Sequence, residues 1–233
     1  MKKTTVASLK KIRVLVTDDH VFLRQGLCAL LQATGPFEIA GEAGNGRECV
    51  AMAAAIHPDV ILMDIAMPVL NGLEATRQVL TADPTTKVVI LSAHIDDAYV
   101  ERAIAAGVSG FVEKQSSFKE VAKAIREAAE GRSYYSAPIA KRLDHNRHVD
   151  NGWDGSDTGS KTRLTSRESE VLQLVAEGSA NKQVASELGI SIKTAEKHRQ
   201  HVMEKLNIHN TAGLTRYAIA AGIVENDVQL MIA

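Results

Sequence analysis

The segment VILMDIAMP, residues 60–68, places four apolar residues directly before Asp64. An unbroken apolar run of this kind is typical of a strand that is buried on both faces of a parallel sheet. Burying an unpaired carboxylate is costly, so Asp64 either lies in solvent just past the strand or has a chemical role. The pattern along the rest of the chain decides between the two.

Short apolar runs alternate with helical patterns in the first half of the chain, up to Gly131. The apolar runs are IRVLV, FEIAGEA, VILM, KVVILSA and GFV. The predicted helices are Val21–Ala33, Gly46–Ile56, Gly72–Leu80, Asp97–Ala106 and Phe118–Glu130. Five strands that alternate with five helices predict an α/β domain with a five-stranded parallel, doubly wound sheet of the flavodoxin-like type.

A polar stretch and then a purely helical pattern follow this domain. Residues 144–163 are rich in Gly, Ser and Asp and cannot bury a core, which indicates a linker. From Leu164 onward the pattern predicts a small all-α domain of four helices. The predicted organisation is an N-terminal tail at 1–10, the α/β domain at 11–131, a linker at 132–160 and the helical domain at 161–233.

Composition narrows the class of protein. The 233 residues carry 27 Lys and Arg against 28 Asp and Glu, so the overall charge does not indicate a polyanionic partner. No apolar stretch approaches the ~18 residues of a membrane span. The two cysteines, Cys28 and Cys49, lie in apolar helical patterns, which is typical of reduced core residues. We therefore expect a cytoplasmic protein that is not associated with a membrane.

Five polar residues fall at or just past the predicted strand ends. They are Asp18 and Asp19 after the first strand, Asp64 after the third, Ser92 at the end of the fourth and Lys114 after the fifth. Functional groups of an open parallel sheet gather beyond the carboxyl ends of its strands, so we expect these side chains to converge. Two like charges ~4 Å apart repel by about 4 kcal/mol at an effective dielectric of ~20, which a cation must offset. The hard carboxylate oxygens of the three aspartates suit Mg²⁺.

This set of side chains suits the acceptance of a phosphoryl group by Asp64. The carboxylate would be the nucleophile, while the metal, Lys114 and Ser92 would stabilise the transferring oxygens. Taken singly, each residue has an ordinary explanation as a helix cap or a solvated charge, and only the combination favours the chemical role. Two other functions stay open: a phosphotransferase enzyme that uses Asp64 catalytically, and a partner-binding scaffold with a vestigial pocket.

Residues 12–131 resemble a response-regulator receiver domain through the motifs DD, MDIAMPVLNG, LSA and GFVEK. The resemblance implies a phosphohistidine on a sensor histidine kinase as the phosphoryl donor. Many receivers have Pro after the motif lysine, whereas this chain has Gln115, and a non-proline cis peptide bond there would cost about 3 kcal/mol. The roles implied by the resemblance are phosphoacceptor for Asp64, Mg²⁺ ligands for Asp18 and Asp19, switch hydroxyl for Ser92, phosphate-pairing base for Lys114 and aromatic switch for Phe111.

The segment NKQVASELGISIKTAEKHRQ, residues 181–200, has the pattern of a helix-turn-helix. An ordinary helical hairpin would show only part of this pattern. With its flanks RLTSRESEVLQLVAEG and EKLNIHNTAGL, the region 164–225 resembles a LuxR-type DNA-binding domain of the NarL/FixJ family. The positions that carry the pattern are inward-facing Val184, Leu188, Ile190 and Ala195, Gly189 in the turn and the helix cap Ser191.

The second helix of this motif, predicted at Ile192–Leu206, would enter the major groove of double-stranded DNA. The alternative for its polar side is a solvated charged face. Residues 161–233 carry nine Lys and Arg against eight Asp and Glu, so one copy has little attraction for DNA, and we expect a homodimer on two half-sites. The resemblance implies base contacts at Glu196, Lys197 and Gln200, and the phosphate candidates are Lys182, Lys193 and Thr194.

Together these features predict a two-component response regulator that controls transcription. It would not be an enzyme, beyond catalysing its own phosphorylation and dephosphorylation. The resemblance also implies that an unphosphorylated receiver can cover the recognition helix. We expect phosphorylation of Asp64 to draw in Ser92, to let Phe111 turn inward and to release the 164–225 domain.

Overall fold

The computed structural model describes residues 11–93, 97–141 and 164–224, and its first part is an α/β domain. The strands are β1 (Ile12–Thr17), β2 (Phe37–Ala43), β3 (Val60–Met63), β4 (Lys87–Ser92), β5 (Gly110–Glu113) and β6 (Tyr134–Tyr135). The helices are α1 (Val21–Thr34), α2 (Gly46–Ile56), α3 (Gly72–Ala82), α4 (Asp97–Ala105) and α5 (Phe118–Ala129). All strand pairs are parallel, in the order β2-β1-β3-β4-β5-β6.

The parallel, doubly wound fold is confirmed, but the sheet has six strands and not the five that were predicted. The additional strand, β6, pairs with β5 through Gly110 with Tyr134 and Phe111 with Tyr135. It lies in the stretch predicted to be linker. Two residues are too few to show a strand periodicity, so the sequence pattern does not reveal β6.

The chain remains packed on the α/β domain after β6. Residues 137–141 are helical, and Ala140 N donates to Ser136 O at 2.9 Å. Ile139 is fully buried in the same apolar core as Phe111. The remainder of the predicted linker, residues 142–160, lies outside the described residues.

Each face of the sheet carries its own apolar core. On β3, Ile61 and Met63 point into a core shared with α2, α3 and α4, while Val60 and Leu62 point into a core shared with α1 and α5. All four of these side chains are buried. Because helices cover both faces, the strand ends are held in fixed relative positions, and so are the side chains that follow them.

The second part of the structure is a helical domain with the four predicted helices, α6 (Ser166–Ala176), α7 (Asn181–Glu187), α8 (Ile192–Leu206) and α9 (Thr211–Ala220). Helices α7 and α8 form the helix-turn-helix. Gly189 in the turn has a φ of 61°, which favours glycine, and Ser191 Oγ accepts from Thr194 N at 3.1 Å to cap α8. Val184 and Ala195 are buried in the core of this domain, as predicted.

Both cysteines of the chain are buried free thiols, as the sequence pattern predicted. Burial raises the pKa of Cys28 and of Cys49 to about 11, so both are uncharged at neutral pH. Among the described residues, no helix has the length and apolar character needed to cross a bilayer.

Candidate functional site

The carboxyl ends of β1 and β3 lie side by side because these strands are neighbours in the sheet. Asp64 N donates to Thr17 O at 2.9 Å, which fixes the residue after β3 next to the end of β1. On the other side of β3, Lys114 N donates to Ser92 O at 2.9 Å and joins the ends of β4 and β5. The strand order therefore brings the predicted strand-end residues to one edge of the sheet.

A buried charge cluster forms at this edge. Lys114 Nζ lies 2.6 Å from Asp64 Oδ2 and 3.0 Å from Asp18 Oδ2. Asp64 is 3% exposed and Asp18 is 1% exposed. When both carboxyl groups are ionised, one ammonium faces two buried carboxylates, and the cluster has a net negative charge. Such a buried charge is costly without further compensation, which favours a bound cation.

The pKa values of the cluster follow from this arrangement. Burial raises the pKa of Asp64 to about 7; the Lys114 ammonium opposes this rise, whereas the carboxylates of Asp18 and Asp19 add to it. Burial lowers the pKa of Lys114, but the attraction of Asp64 and Asp18 outweighs this effect, and the net pKa is raised. The cluster therefore combines a cationic lysine with a carboxyl group that titrates near neutral pH.

The acidic part of the cluster fits a divalent metal ion. Asp18, Asp19, His20 and Asp64 each offer one ligand atom, and these atoms lie within 4.8 Å of one another. Asp18 Oδ2 and Asp19 Oδ1 are buried and accept no hydrogen bond from the described residues, although Lys114 Nζ is 3.0 Å from the first and His20 Nδ1 is 2.8 Å from the second. Buried carboxylate oxygens without donors are the ligands that a hard cation takes.

Sequence reasoning did not single out His20 and Arg24, which both contact the acidic cluster. His20 precedes α1 and places Nδ1 3.3 Å from Asp18 Oδ1. Arg24, in the first turn of α1, donates through Nη1 to Asp18 O and fixes the loop that presents the aspartates. The positions of these two residues in the sequence could have identified them. His20 directly follows the aspartate pair, and Arg24 comes four residues after His20, in α1.

The loop after Asp64 is closely packed. Ile65 N donates to Asp64 Oδ1 at 2.8 Å, and Gly72 N donates to Ile65 O at 2.8 Å. A Cβ atom on Gly72 would lie 1.9 Å from Asp64 O, so this approach of the two backbone segments requires glycine. Val69 has a φ of 70°, which is rare and strained for a β-branched residue. These contacts pack the loop tightly against the backbone of Asp64.

The two expected switch residues are both buried. Ser92 ends β4, and Phe111 in β5 is 0% exposed within the core that contains Ile90 and Ile139. The ring of Phe111 already lies inside the core in this structure. Phosphorylation therefore cannot turn this ring inward from its present position, as we had expected. The described residues contain no cis peptide bond, and the bond before Gln115 is trans.

The candidate DNA contacts lie on the surface of the helix-turn-helix. Thr194 is half-buried, and its hydroxyl shares a hydrogen bond of 2.8 Å with the hydroxyl of Ser191. Gln200 Nε2 donates to Glu204 Oε1 at 2.8 Å along the same helix. The exposed candidates are Lys182, Lys193, Glu196, Lys197 and Gln200.

The α/β domain contacts the helical domain away from these residues. Its hydrogen bonds and ion pairs go to residues of α6, to Glu187 at the end of α7 and to Ala221 after α9. The expectation that this domain covers the recognition helix is wrong for the arrangement seen here, because the candidate base contacts on α8 are exposed. The contacts with α6 were not foreseen; their only sequence signal is Gln173, a polar residue inside the apolar stretch VLQLV.

Comparison with known protein families identifies the same two domains in this chain. The family model described as "Response regulator receiver domain" matches residues 14–126, and the one described as "Bacterial regulatory proteins, luxR family" matches residues 162–218. The transcriptional regulatory protein LiaR of Bacillus subtilis is 39% identical over 208 residues, which cover 89% of this chain and 96% of LiaR.

Solved structures of response regulators share the fold of this chain over part or most of its length. A LuxR-family two-component response regulator from Aurantimonas sp. SI85-9A1 has a TM-score of 0.57 and 30% identity, covering 59% of this chain and 99% of that one. The RcsB response regulator of Salmonella typhimurium shares the fold with a TM-score of 0.59 and 22% identity, over 91% of this chain and 99% of RcsB. Another RcsB structure contains two dimers bound to two parallel DNAs, with a TM-score of 0.54, 22% identity and coverage of 89% and 97%.

The fold and the acidic strand-end cluster define a response regulator in which a receiver domain precedes a LuxR-type DNA-binding domain. The chain belongs to the NarL/FixJ family of two-component response regulators, and its relative LiaR is a transcriptional regulatory protein.

Proposed function

We propose that Asp64 accepts a phosphoryl group from a sensor histidine kinase and that its phosphorylation controls sequence-specific DNA binding and transcription. The observation that carries this proposal is the convergence of Asp64, Asp18 and Lys114 in one buried cluster. The ammonium between the two carboxylates offsets negative charge as the anionic phosphoryl group approaches, and it can pair with the phosphoryl oxygens after transfer.

The chemical step uses the ionised carboxylate of Asp64. One of its oxygens attacks the phosphorus of the phosphohistidine while the phosphorus–nitrogen bond breaks, and the imidazole leaves with the electron pair and takes up a proton. Lys114 Nζ, 2.6 Å from Oδ2, and Ile65 N, 2.8 Å from Oδ1, hold the carboxylate in one orientation. This fixed orientation lowers the entropic cost of reaching the transition state.

Mg²⁺ would be held by Asp18, Asp19 and Asp64, and it would supply positive charge to the transferring oxygens. The clustering of the ligand atoms of Asp18, Asp19 and Asp64, which lie within 4.8 Å of one another, supports this assignment. A cation next to Asp64 favours the ionised form and should bring its pKa down from about 7. The catalytic activity of the chain would be limited to its own phosphorylation and dephosphorylation.

Sequence-specific binding would come from α8 in the major groove of double-stranded DNA. The exposure of Glu196, Lys197 and Gln200 supports base contacts by these side chains, and that of Lys182 and Lys193 supports phosphate contacts. RcsB dimers bound to DNA support a homodimer as the binding form, as does the near-neutral charge of the domain. A DNA target and two buried free thiols agree with a cytoplasmic location.

The full chain, incubated with acetyl phosphate and Mg²⁺, tests this function by intact mass spectrometry. A regulator gains one phosphate that persists on the protein, and chelation of the metal prevents the gain. A phosphotransferase enzyme would instead consume acetyl phosphate with continuous turnover, and a scaffold with a vestigial pocket would show neither result.

A further inference from the structure

The recognition helix α8 has few buried side chains to hold it in place. Ala195 and Val202 are the buried residues among its 15, and the first of these is small. Met203 and Leu206 are partly buried against the same core. Apolar burial stabilises in proportion to the area removed from water, so this packing fixes the tilt and depth of α8 only weakly. The position of the helix therefore depends on contacts made by its polar side chains.

Arg199 lies on the inward side of α8, between the two buried residues. It comes four positions after Ala195 and three before Val202, which is the spacing of residues on one face of a helix. Its Nη1 donates to Asn181 Oδ1 at 3.1 Å, and its Nη2 donates to Thr211 Oγ1 at 2.7 Å. Arg199 is half-buried, so its guanidinium group lies between helices and not free in solvent.

The two acceptors of Arg199 begin the two helices that flank α8 in the chain. Asn181 is the first residue of α7, and Thr211 is the first residue of α9. One planar guanidinium group therefore joins α7, α8 and α9. The fork geometry of arginine suits two acceptors at a fixed separation, whereas the compact ammonium of lysine does not hold two acceptors in this way.

A second polar contact holds the last turn of α8. Lys205 Nζ lies 2.6 Å from Glu168 Oε2, which also accepts from Thr165 N at 2.8 Å in the capping box of α6. This ion pair fixes the end of α8 on α6. Lys205 comes eight positions after Lys197, whereas Arg199 comes only two positions after it. Arg199 is thus the polar contact nearest to the part of the helix that would face the bases.

The same contact relates the candidate base contacts to a candidate phosphate contact. Arg199 holds Asn181, which directly precedes Lys182. Phosphate contacts set the position of a protein on the duplex, and base contacts read the sequence from that position. The placement of Lys197 on α8 relative to Lys182 on α7 therefore depends on the bond between Arg199 and Asn181. Without this bond, Lys182 can still pair with a phosphate while Lys197 is displaced from its base.

We propose that Arg199 is a positioning residue for sequence-specific DNA binding, which fixes α8 relative to α7 and α9 and does not itself contact DNA. This inference rests on the proposed role of α8 in DNA binding. Both Nη atoms of Arg199 donate to acceptors within the protein, which distinguishes it from the exposed Lys182 and Lys193. Loss of Arg199 reduces the discrimination between sequences more than it reduces the general affinity for DNA.

The affinities of the full chain for two duplexes test this role. One duplex carries a site found by genomic footprinting, and the other has the same composition in scrambled order. Every protein is treated with acetyl phosphate, and the phosphate content is matched by intact mass. The variants are Arg199→Ala and Thr211→Val, which removes the hydroxyl acceptor at nearly unchanged volume. Thr215→Val is the matched control, because Thr215 lies one turn further along α9 and its Oγ1 donates to Thr211 O within the same helix.

We expect Arg199→Ala to lower the affinity for the footprinted duplex at least about tenfold, which is comparable to the effect of one mismatched base pair. Its affinity for the scrambled duplex and its salt slope should equal those of the wild type. Thr211→Val should lower the specific affinity in the same direction, and Thr215→Val should leave it unchanged. In the Arg199→Ala background, Thr211→Val should have no further effect, because the bond is already lost.

Three results would overturn the proposal. A salt slope lower by about one in Arg199→Ala would show that Arg199 contacts a phosphate directly. Equal losses of affinity for both duplexes would show a loss of folded domain and not of position. Additive losses for Arg199→Ala and Thr211→Val would show that the two residues act independently. If the wild type itself does not prefer the footprinted duplex, the proposed function is wrong and the inference falls with it.

The variant Arg199→Lys covers the case in which Arg199→Ala does not fold. It keeps the positive charge and a long side chain but lacks the fork that holds two acceptors. We expect Arg199→Lys to bind the scrambled duplex as the wild type does and to lose part of the preference for the footprinted duplex. A full wild-type preference in both Arg199→Lys and Thr211→Val would contradict the proposal.

Discussion

Lys114 and Asp64 form an ion pair in which Nζ lies 2.6 Å from Oδ2, although the two residues are 50 positions apart in the chain. The pair exists because β3 and β5 flank β4 in one parallel sheet, so that the residues after them meet at the same edge. The same ammonium also reaches Asp18 at 3.0 Å. This ion pair joins the proposed phosphoacceptor, Asp64, to a residue that follows β5, and the same lysine reaches Asp18, a proposed metal ligand.

Asp64→Asn should abolish phosphorylation by acetyl phosphate, because an amide is not a nucleophile at this position. Intact mass measures the effect. Asp59→Asn is the matched control, since Asp59 lies just before β3, at the opposite end of the same strand, and accepts from Arg13 N at 2.8 Å. This control should gain one phosphate. One added phosphate on Asp64→Asn would contradict the assignment.

Asp19→Ala should weaken Mg²⁺ binding. Outer-shell changes at metal sites cost about 10–100-fold in affinity, so the loss of a direct carboxylate ligand should cost at least about tenfold. A titration with Mg²⁺ monitored by calorimetry or spectroscopy measures the change. Asp83→Ala, in the loop between α3 and β4, should bind as the wild type does. An unchanged affinity in Asp19→Ala would show that Asp19 is not a ligand.

The stability of the metal-free receiver should fall as the pH rises toward 7. The native pKa of Asp64 is about 7 and its ordinary value is 3.8, so the native state retains a proton that the unfolded state loses. The resulting stabilisation is complete below pH ~4 and is lost as the pH approaches the native pKa. At about 1.4 kcal/mol per pKa unit, the loss between pH 5 and 8 is about 2–3 kcal/mol.

Urea unfolding of the wild type and of Asp64→Asn, both in chelator at pH 5 and 8, isolates this contribution. The wild type should lose about 2–3 kcal/mol more than the variant over this range. Mg²⁺ should reduce the difference, since it binds the ionised carboxylates. Equal losses in the two proteins would mean that Asp64 is already ionised at pH 5.

Lys197→Ala and Lys182→Ala should weaken DNA binding in different ways. Loss of a base contact by Lys197 should cost about 1–3 kcal/mol at the specific site and relax the preference at one base pair. Loss of a phosphate contact by Lys182 should weaken binding to all sequences and lower the salt slope by about one. Salt-dependent binding assays measure both effects. Identical behaviour of the two variants would refute this division of contacts.

The parallel fold could be predicted because its signals are local. The apolar run before Asp64 gave β3, and the helical pattern at Gly46–Ile56 gave the observed bounds of α2. Placement of polar residues after strands then predicted the cluster, since parallel strands end at a common edge. The contacts of His20 and Arg24 with the acidic cluster remained hidden, because they depend on the turn between β1 and α1.

The relation between the domains could not be predicted, because it depends on surfaces that meet only in the folded chain. Gln173 is conspicuous as a polar residue among apolar ones, but nothing near it in the sequence identifies Asn71 and Met67 as its partners. The position of Phe111 in β5 predicts on which face of the sheet its ring lies. Its burial could not be predicted in the same way, because it depends on packing against residues such as Ile139.

The DNA affinity of the full chain before and after phosphorylation tests the central claim most directly. Fluorescence anisotropy on a duplex identified by genomic footprinting would be compared for the wild type and Asp64→Asn, with the phosphate content established by intact mass. We predict a gain of about 5–150-fold for the phosphorylated wild type and none for the variant, in line with a coupling of about 1–3 kcal/mol. Equal affinities of the fully phosphorylated and unphosphorylated wild type would contradict the account.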